Sequence, residues 1–135
     1  MTDAYVPEAP TRPAPGRVRV WRLRPGGEFE RVRQTGRSWP HRLLIVIVQP
    51  RADEPSARSR VAVTAGKRLG NAVVRNRIKR RLREAIQLVY PQLASGYDVI
   101  VIARAPIIGA EVVQITTALS EVLKRARIWP VESSA

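Results

Sequence analysis

"GKRLGNAVVRNRIKRRLREA", residues Gly66 to Ala85, is the stretch on which the fold turns. Between Lys67 and Arg83 it holds eight basic residues and no acidic one. Gly66 and Gly70 bracket a loop, and Asn71 has the side chain of a helix N-cap. From Ala72 to about Val89 the apolar residues Val74, Ile78, Leu82, Ala85 and Val89 recur at the spacing of a single helical stripe. Pro91 stops the helix, which at 1.5 Å per residue would be roughly 27 Å long. Such a stripe has to dock on something apolar. Arg75, Asn76, Lys79, Arg80 and Arg83 then fall on the far face or its margin, while Arg77 and Arg81 flank the stripe on the other side.

The neighbouring segments supply the docking surface. "HRLLIVIVQP" reads as a buried strand ended by Pro50, and "RVAVTA" alternates as a second strand. A polar turn, "RADEPSARS", joins them, so a hairpin with a longish loop is expected. "YDVIVIAR" is a third strand, whose unbroken apolar run suits cover on both faces. "GEFERVRQTG" reads as a short helix with Phe29 and Val32 on one face and Gly36 as its stop. "AEVVQITTALSEVLKRARIW" is a last helix with a stripe of Val112, Ile115, Leu119, Val122 and Ala126. "RVRVWRLRPGG" alternates basic and apolar residues, which fits a short strand and fits a basic arm laid on a partner. The order is helix, two strands, helix, strand, helix. It predicts an α/β (α+β) two-layer sandwich with one small mixed sheet and the basic helix as a βαβ crossover.

Composition narrows the partners. The 135 residues suit one domain, taken as residues 17–129, and carry a net charge of +13. That excess calls for a polyanion. Only three of the 24 basic residues are lysine. Arginine forms bidentate contacts to phosphate and stacks on bases, although a GC-rich genome produces the same bias. There is no cysteine, which rules out disulfides and thiolate metal sites. No apolar run approaches the ~18 residues of a membrane span. "MTDAYVPEAPTRPAPG" lacks signal-peptide order and carries four prolines, so residues 1–16 read as a disordered or polyproline-like tail. Residues 130–135 read as a frayed end. A cytoplasmic location is expected.

Like charges at i,i+4 oppose helix formation by a few tenths of a kcal/mol per pair, and Arg75/Lys79, Lys79/Arg83 and Arg77/Arg81 are such pairs. A merely solvated helix would intersperse glutamates, yet Glu84 is the first acid after Glu54. A phosphate-binding face is the better reading, and one continuous positive surface suits a single-stranded or folded RNA. Six phosphate contacts would give a slope of log K against log salt of about −4.

The stretch resembles the signature of the bacterial ribonuclease P protein component. "RNR" at Arg75-Asn76-Arg77 and the following "IKRRLRE" are its most specific part. The resemblance extends to "EFERVRQTG" upstream and "GYDVIVIARAP" plus the last helix downstream, covering about Phe29 to Trp129. It implies a βαβ crossover of left-handed sense, against the usual rule. It implies that the protein is a subunit of the endonuclease rather than its catalyst. A large RNA, with bound Mg²⁺, would hydrolyse precursor tRNA and release the 5′ leader. The protein would bind that RNA and hold the single-stranded leader in a cleft; no cofactor of its own, no DNA and no membrane are implied.

Carried over by position, Lys67, Arg68, Asn71, Arg75, Asn76, Arg77, Lys79, Arg80 and Arg83 would meet the catalytic RNA. Phe29 would face the leader, although ordinary core is its alternative role. The cleft floor would be Leu44, Val46 and Val48 or the alternate set Ile45 and Ile47, and periodicity does not choose. Family members often carry a second aromatic one turn after the phenylalanine and another in the first strand. Arg33 and Ile47 stand there instead. Leader binding would then lean on charge, with Arg33 as the candidate.

Protein-borne catalysis has little to work with. His41 is the only histidine. Asp53 and Glu54 sit in a polar loop as at most a weak ion site, and Asp98 opens a strand beside Tyr97. "AGKRL" fails as a phosphate loop, because Val61 stands where the first glycine is needed and Arg68 where Ser or Thr is needed. Trp21, Trp39 and Trp129 can pack or stack; Trp39 beside Pro40 reads first as a turn anchor. The competing functions are a ribosomal-type RNA-binding module and an autonomous nuclease, the latter opposed by this inventory.

Overall fold

The computed structural model describes residues 18–51 and 57–129. Residues 1–16 and 130–135, and with them the two tails expected from composition, lie outside the described residues, as do Asp53 and Glu54. The sheet has five strands: β1 (Trp21–Arg22), β2 (Arg37–Pro40), β3 (Leu44–Pro50), β4 (Arg60–Thr64) and β5 (Tyr97–Ala103). Three helices accompany them: α1 (Gly27–Thr35), α2 (Ala72–Val89) and α3 (Val112–Arg125).

The expected hairpin does not form. The strand order is β1-β4-β5-β3-β2, so β5 lies between β3 and β4. β5 pairs antiparallel with β3 and parallel with β4. The physical reason lies in β5 itself. Val99, Ile100 and Val101 are at most 2% exposed, and such a strand needs partners on both edges as well as cover on both faces. A parallel β4–β5 pair cannot be joined by a tight turn, and α2 is the crossover that joins it. β1 and β2 add parallel and antiparallel edges. β2 is a four-residue edge strand in a segment that the sequence reading left unassigned.

Alternation of side chains splits the sheet into two faces. Leu44, Val46, Val48, Val61, Val99 and Val101 join the cluster formed with α2 and α3. Ile47 and Ile100 join Val32 of α1 and Leu23, with Phe29, Ile45, Ala62 and Ile102 partly buried around them. α2 docks through Ile78, Leu82, Ala85, Ile86 and Val89. Burying its four large side chains is worth roughly 6–12 kcal/mol. The three like-charge pairs oppose this by only about 1 kcal/mol in total, so docking wins.

α1 is fastened at one end of the sheet. Arg60 makes two 2.8 Å hydrogen bonds to Asp98, which is 2% exposed, and a 2.6 Å ion pair to Glu28 in the first turn of α1. Gly36, which closes α1, has ordinary backbone angles (φ −72°, ψ 160°) rather than a left-handed cap. Its value is close approach, because a Cβ there would lie 2.6 Å from the Val32 carbonyl oxygen and 2.7 Å from Ile47 Cγ2.

Candidate nucleic-acid interface

The interface is built from the loop after β4 and the helix that follows. Lys67–Leu69 form one 3-10 turn whose Leu69 is buried, which turns Lys67 and Arg68 outward. Gly70 then takes φ 136°, a left-handed value, and a Cβ there would meet Val74 at 3.1 Å. Asn71 caps α2, its Oδ1 accepting from the Val74 N–H at 3.0 Å. That oxygen is therefore committed to the fold, which narrows the RNA-binding role assigned to Asn71.

The basic residues separate into three groups. Lys67, Arg68, Arg77 and Arg80 are exposed and, among the described residues, their side chains make no hydrogen bond or ion pair. Asn76 and Arg83 are exposed beside them. Arg75 and Lys79 are half-buried on the side of α2 that turns toward β1. Burial holds the Lys79 ammonium below its ordinary pKa, helped by the charges of Arg83, Arg75 and Arg22. Arg81 is different again: half-buried, it donates to the Ala110 carbonyl at 3.1 Å and ties α2 to the turn before α3.

Arg22 of β1, in the segment read as a short strand or a basic arm, joins this side of α2. Its register partner is Val61, which places it on the α2 side of the sheet and beside Lys79. The preceding arm is docked too. Gln87 of α2 accepts from Val18 N–H at 3.0 Å and donates to the Val18 carbonyl at 2.9 Å. The alternation of "RVRVWRLR" signalled a strand, but nothing local signals its parallel pairing with β4.

The opposite face of the sheet carries a half-buried row at the place where the resemblance implies a cleft. Leu44, Val46 and Val48 are closed under α2 and α3, at 0%, 0% and 7% exposure, and floor nothing. Ile47 is also buried, at 6%, beneath α1, so it supports the floor without lining it. Ile45, Ala62, Thr64 and Ile102 remain half-buried, as does Phe29 at the edge of α1. Ile45 pairs with Ile102, and Ile102 with Thr64, so they form one row across three strands. Arg33 stands exposed on α1. The open row lies at the carboxyl end of β4, where the chain leaves for Lys67 and Arg68. The cleft and the basic loop thus share one end of the sheet.

No catalytic constellation accompanies them among the described residues, and no group of three or more His, Asp or Glu side chains there could hold a metal ion. His41 belongs to the β2–β3 turn. Its Nδ1 accepts from Leu43 N–H at 3.1 Å, so Nε2 carries the proton and donates to Glu121 at 3.1 Å. No helix among the described residues is long and apolar enough to cross a membrane.

A family model described as Ribonuclease P matches residues 18–127. The "Ribonuclease P protein component" of Herpetosiphon aurantiacus is 46% identical over 112 residues, spanning 82% of this chain and 88% of the relative. That of Roseiflexus castenholzii is 42% identical over the same shares. Among solved structures, the RNase P protein of Staphylococcus aureus superposes with a TM-score of 0.71 at 32% identity, covering 82% of this chain and 99% of that one. The RNase P protein of Thermotoga maritima shares the fold, with a TM-score of 0.68 at 24% identity over 77% of this chain and 96% of the other. With the family model matched over residues 18–127 and these relatives alike over most of the chain, this chain belongs to the ribonuclease P protein family.

Proposed function

We infer that this chain serves, as the protein subunit of ribonuclease P, to bind two RNA elements at once. The loop and outer face of α2, from Lys67 to Arg83, take the phosphates of the catalytic RNA. The row Ile45–Ile102–Thr64, with Phe29 and Arg33 on α1, takes the 5′ leader of precursor tRNA. The observation that carries this reading is the half-buried row Ile45–Ile102–Thr64 at the same end of the sheet as the exposed Lys67 and Arg68 side chains. A ribosomal-type binding module accounts for the charge but not for the cleft. Hydrolysis is assigned to the RNA with its Mg²⁺, following the family resemblance, and the protein positions and neutralises. The cytoplasm is where such a substrate is met.

Cleavage of 5′-labelled precursor tRNA at low Mg²⁺ tests the reading, comparing protein alone, cognate catalytic RNA alone, and both together. Restoration only by the pair, with release of an intact leader, is expected. No stimulation returns the protein to a plain binding module, and cleavage by protein alone overturns the division of labour. Arg33→Ala should weaken binding of precursor more than binding of mature tRNA, and equal losses would remove Arg33 from the cleft.

A further inference from the structure

β1 and the flank of α2 meet along a seam that carries cations on both sides. Gln87, Arg83, Lys79 and Arg75 recur every fourth residue of α2 and make one helical row. At the Gln87 end the arm is fastened, because the Gln87 amide holds both the N–H and the carbonyl of Val18. Val18 and Val20 pack against the core beneath α2 and α3, whereas Leu23 joins the opposite cluster beneath α1. Alternation therefore puts Arg22 on the α2 side, in keeping with its partner Val61. It puts Arg19 on the other side, where the guanidinium lies 4.3 Å from the centre of the Trp21 ring. From Val18 to Arg22 is about 13 Å of strand, and from Gln87 to Lys79 is about 12 Å of helix. The arm thus follows the row in the reverse direction and delivers Arg22 to Lys79.

Four cations converge there. Burial lowers the pKa of the half-buried Lys79 ammonium, and the charges of Arg83, Arg75 and Arg22 lower it further. Every charged group acting on Lys79 is therefore a cation. Beside this cluster the surface is apolar. β1 pairs with Arg60 and Val61 and follows β4 no further. Val63, two residues on, is half-buried on the α2 side, and Val74 of α2 is half-buried against the same core. Cations beside half-open apolar groups suit a nucleotide, whose phosphate takes the charge and whose ribose takes the apolar contact.

We propose that this seam seats a single-stranded stretch of the catalytic RNA, with one phosphate held jointly by Arg22 of β1 and Lys79 of α2 and the adjoining ribose against Val63 and Val74. This rests on the catalytic-RNA reading of α2 and deepens it. The arm becomes the second wall of the RNA site, and one phosphate bridges two elements far apart in the chain. Arg19, on the other side of the arm, takes no part.

The test measures binding of the cognate catalytic RNA to the full chain across a salt series. Arg22→Gln and Lys79→Gln should each weaken binding. The double variant should lose less than the product of the two single losses, because both side chains hold one phosphate. Its salt slope should fall by ~0.7, one contact on the single-strand coefficient, rather than by ~1.4. Arg22→Lys, which keeps a cation on the arm, should retain the wild-type slope. Arg22→Met, uncharged and of similar reach, repeats the cycle if the Gln variant folds poorly, as thermal melting of the free proteins reports. Arg19→Gln removes the same charge from the other side of the arm and should bind as wild type does. Losses that multiply, with a slope lower by ~1.4, overturn the shared phosphate. Equal losses for Arg19→Gln and Arg22→Gln overturn the seam and leave diffuse charge in its place. Binding of the catalytic RNA by wild type without salt dependence instead overturns the reading of α2 on which the seam rests.

Discussion

Arg77 and Arg81 occupy one helical row and look equivalent in the sequence, but the structure gives them opposite work. Arg77 and Arg80 are exposed and unpaired among the described residues, whereas Arg81 holds the Ala110 carbonyl. Arg77→Gln with Arg80→Gln should therefore lower the slope of log K against log salt for catalytic-RNA binding. Two lost contacts amount to ~1.4 on the single-strand coefficient or ~1.8 on the duplex one. Over a fourfold rise in salt, wild type should lose about 7- to 12-fold more affinity than the variant does. Thermal stability should move by less than ~0.5 kcal/mol, as for surface changes without partners. Arg81→Gln should do the reverse. Loss of its hydrogen bond destabilises by about 1 kcal/mol, lowering Tm by ~3–5 °C, while the salt slope stays put. Filter binding across a salt series and calorimetry on the same preparations decide it. An Arg81 variant that flattens the slope as much as the Arg77/Arg80 pair would refute the division, and so would an unchanged slope in the pair.

Three further outcomes follow from the packing. Gly36→Ala should destabilise by ~1–3 kcal/mol through overpacking against Val32 and Ile47. Gly109→Ala, where a Cβ meets nothing within 4 Å, should be near neutral, and equal Tm losses would discredit the close-approach account. Asp98→Asn should remove about 3 kcal/mol, as breaking a buried pair does, and lower Tm by ~10 °C, whereas Glu28→Gln at the exposed end of the same network should cost under ~1 kcal/mol. Lys79 is held below its ordinary value of 10.5 chiefly by burial, so its protonated form opposes folding. That opposition is complete below the lowered pKa and fades as pH rises toward 10.5, so the free protein gains stability across that alkaline window. Lys79→Gln should flatten this rise and stabilise by ~0.5 kcal/mol through lost repulsion from Arg75 and Arg83, while weakening RNA binding. Parallel pH–stability curves for the two proteins would contradict this.

α2 was legible to the residue because its determinants are local. Ala72–Val89, the Asn71 cap and most of the buried stripe follow from 3.6-residue spacing and capping chemistry within the helix itself, although Val74 is only half-buried and Ile86 joins the stripe unforeseen. The strand order was not legible, because pairing is non-local and β1 and β2, two and four residues long, carry no period of their own. β3 hid its faces for a related reason. Both faces are covered, so Leu44, Val46 and Val48 look like Ile45 and Ile47, and only the position of α1 separates the half-open Ile45 from the buried Ile47. Gly36 is legible as a helix stop, but its close contact with a strand eleven residues on is not. Residue type marked the binding helix as a whole. Which of its arginines the fold consumes depended on an acceptor, the Ala110 carbonyl, that no spacing predicts.

One geometric cause produces both candidate RNA surfaces. The parallel β4–β5 pair requires a crossover, and the crossover has to start at the carboxyl end of β4. That puts the loop of Lys67 and Arg68 at this end. α1 cannot close the same end, because Glu28 is held by Arg60 at the other end and Gly36 is pressed against Ile47. The row Ile45–Ile102–Thr64 is left half-open for that reason, at the end of the sheet where the basic loop begins. Like charge on α2 is tolerated because burial of its stripe exceeds the repulsion several-fold. Among the described residues the Lys67, Arg68, Arg77 and Arg80 side chains meet no acid, so their charge stays open to solvent. A bound polyanion would relieve it. The free protein is therefore less stable than its packing would allow, and phosphates bound along α2 would recover the difference, at the same end of the sheet as the half-open row.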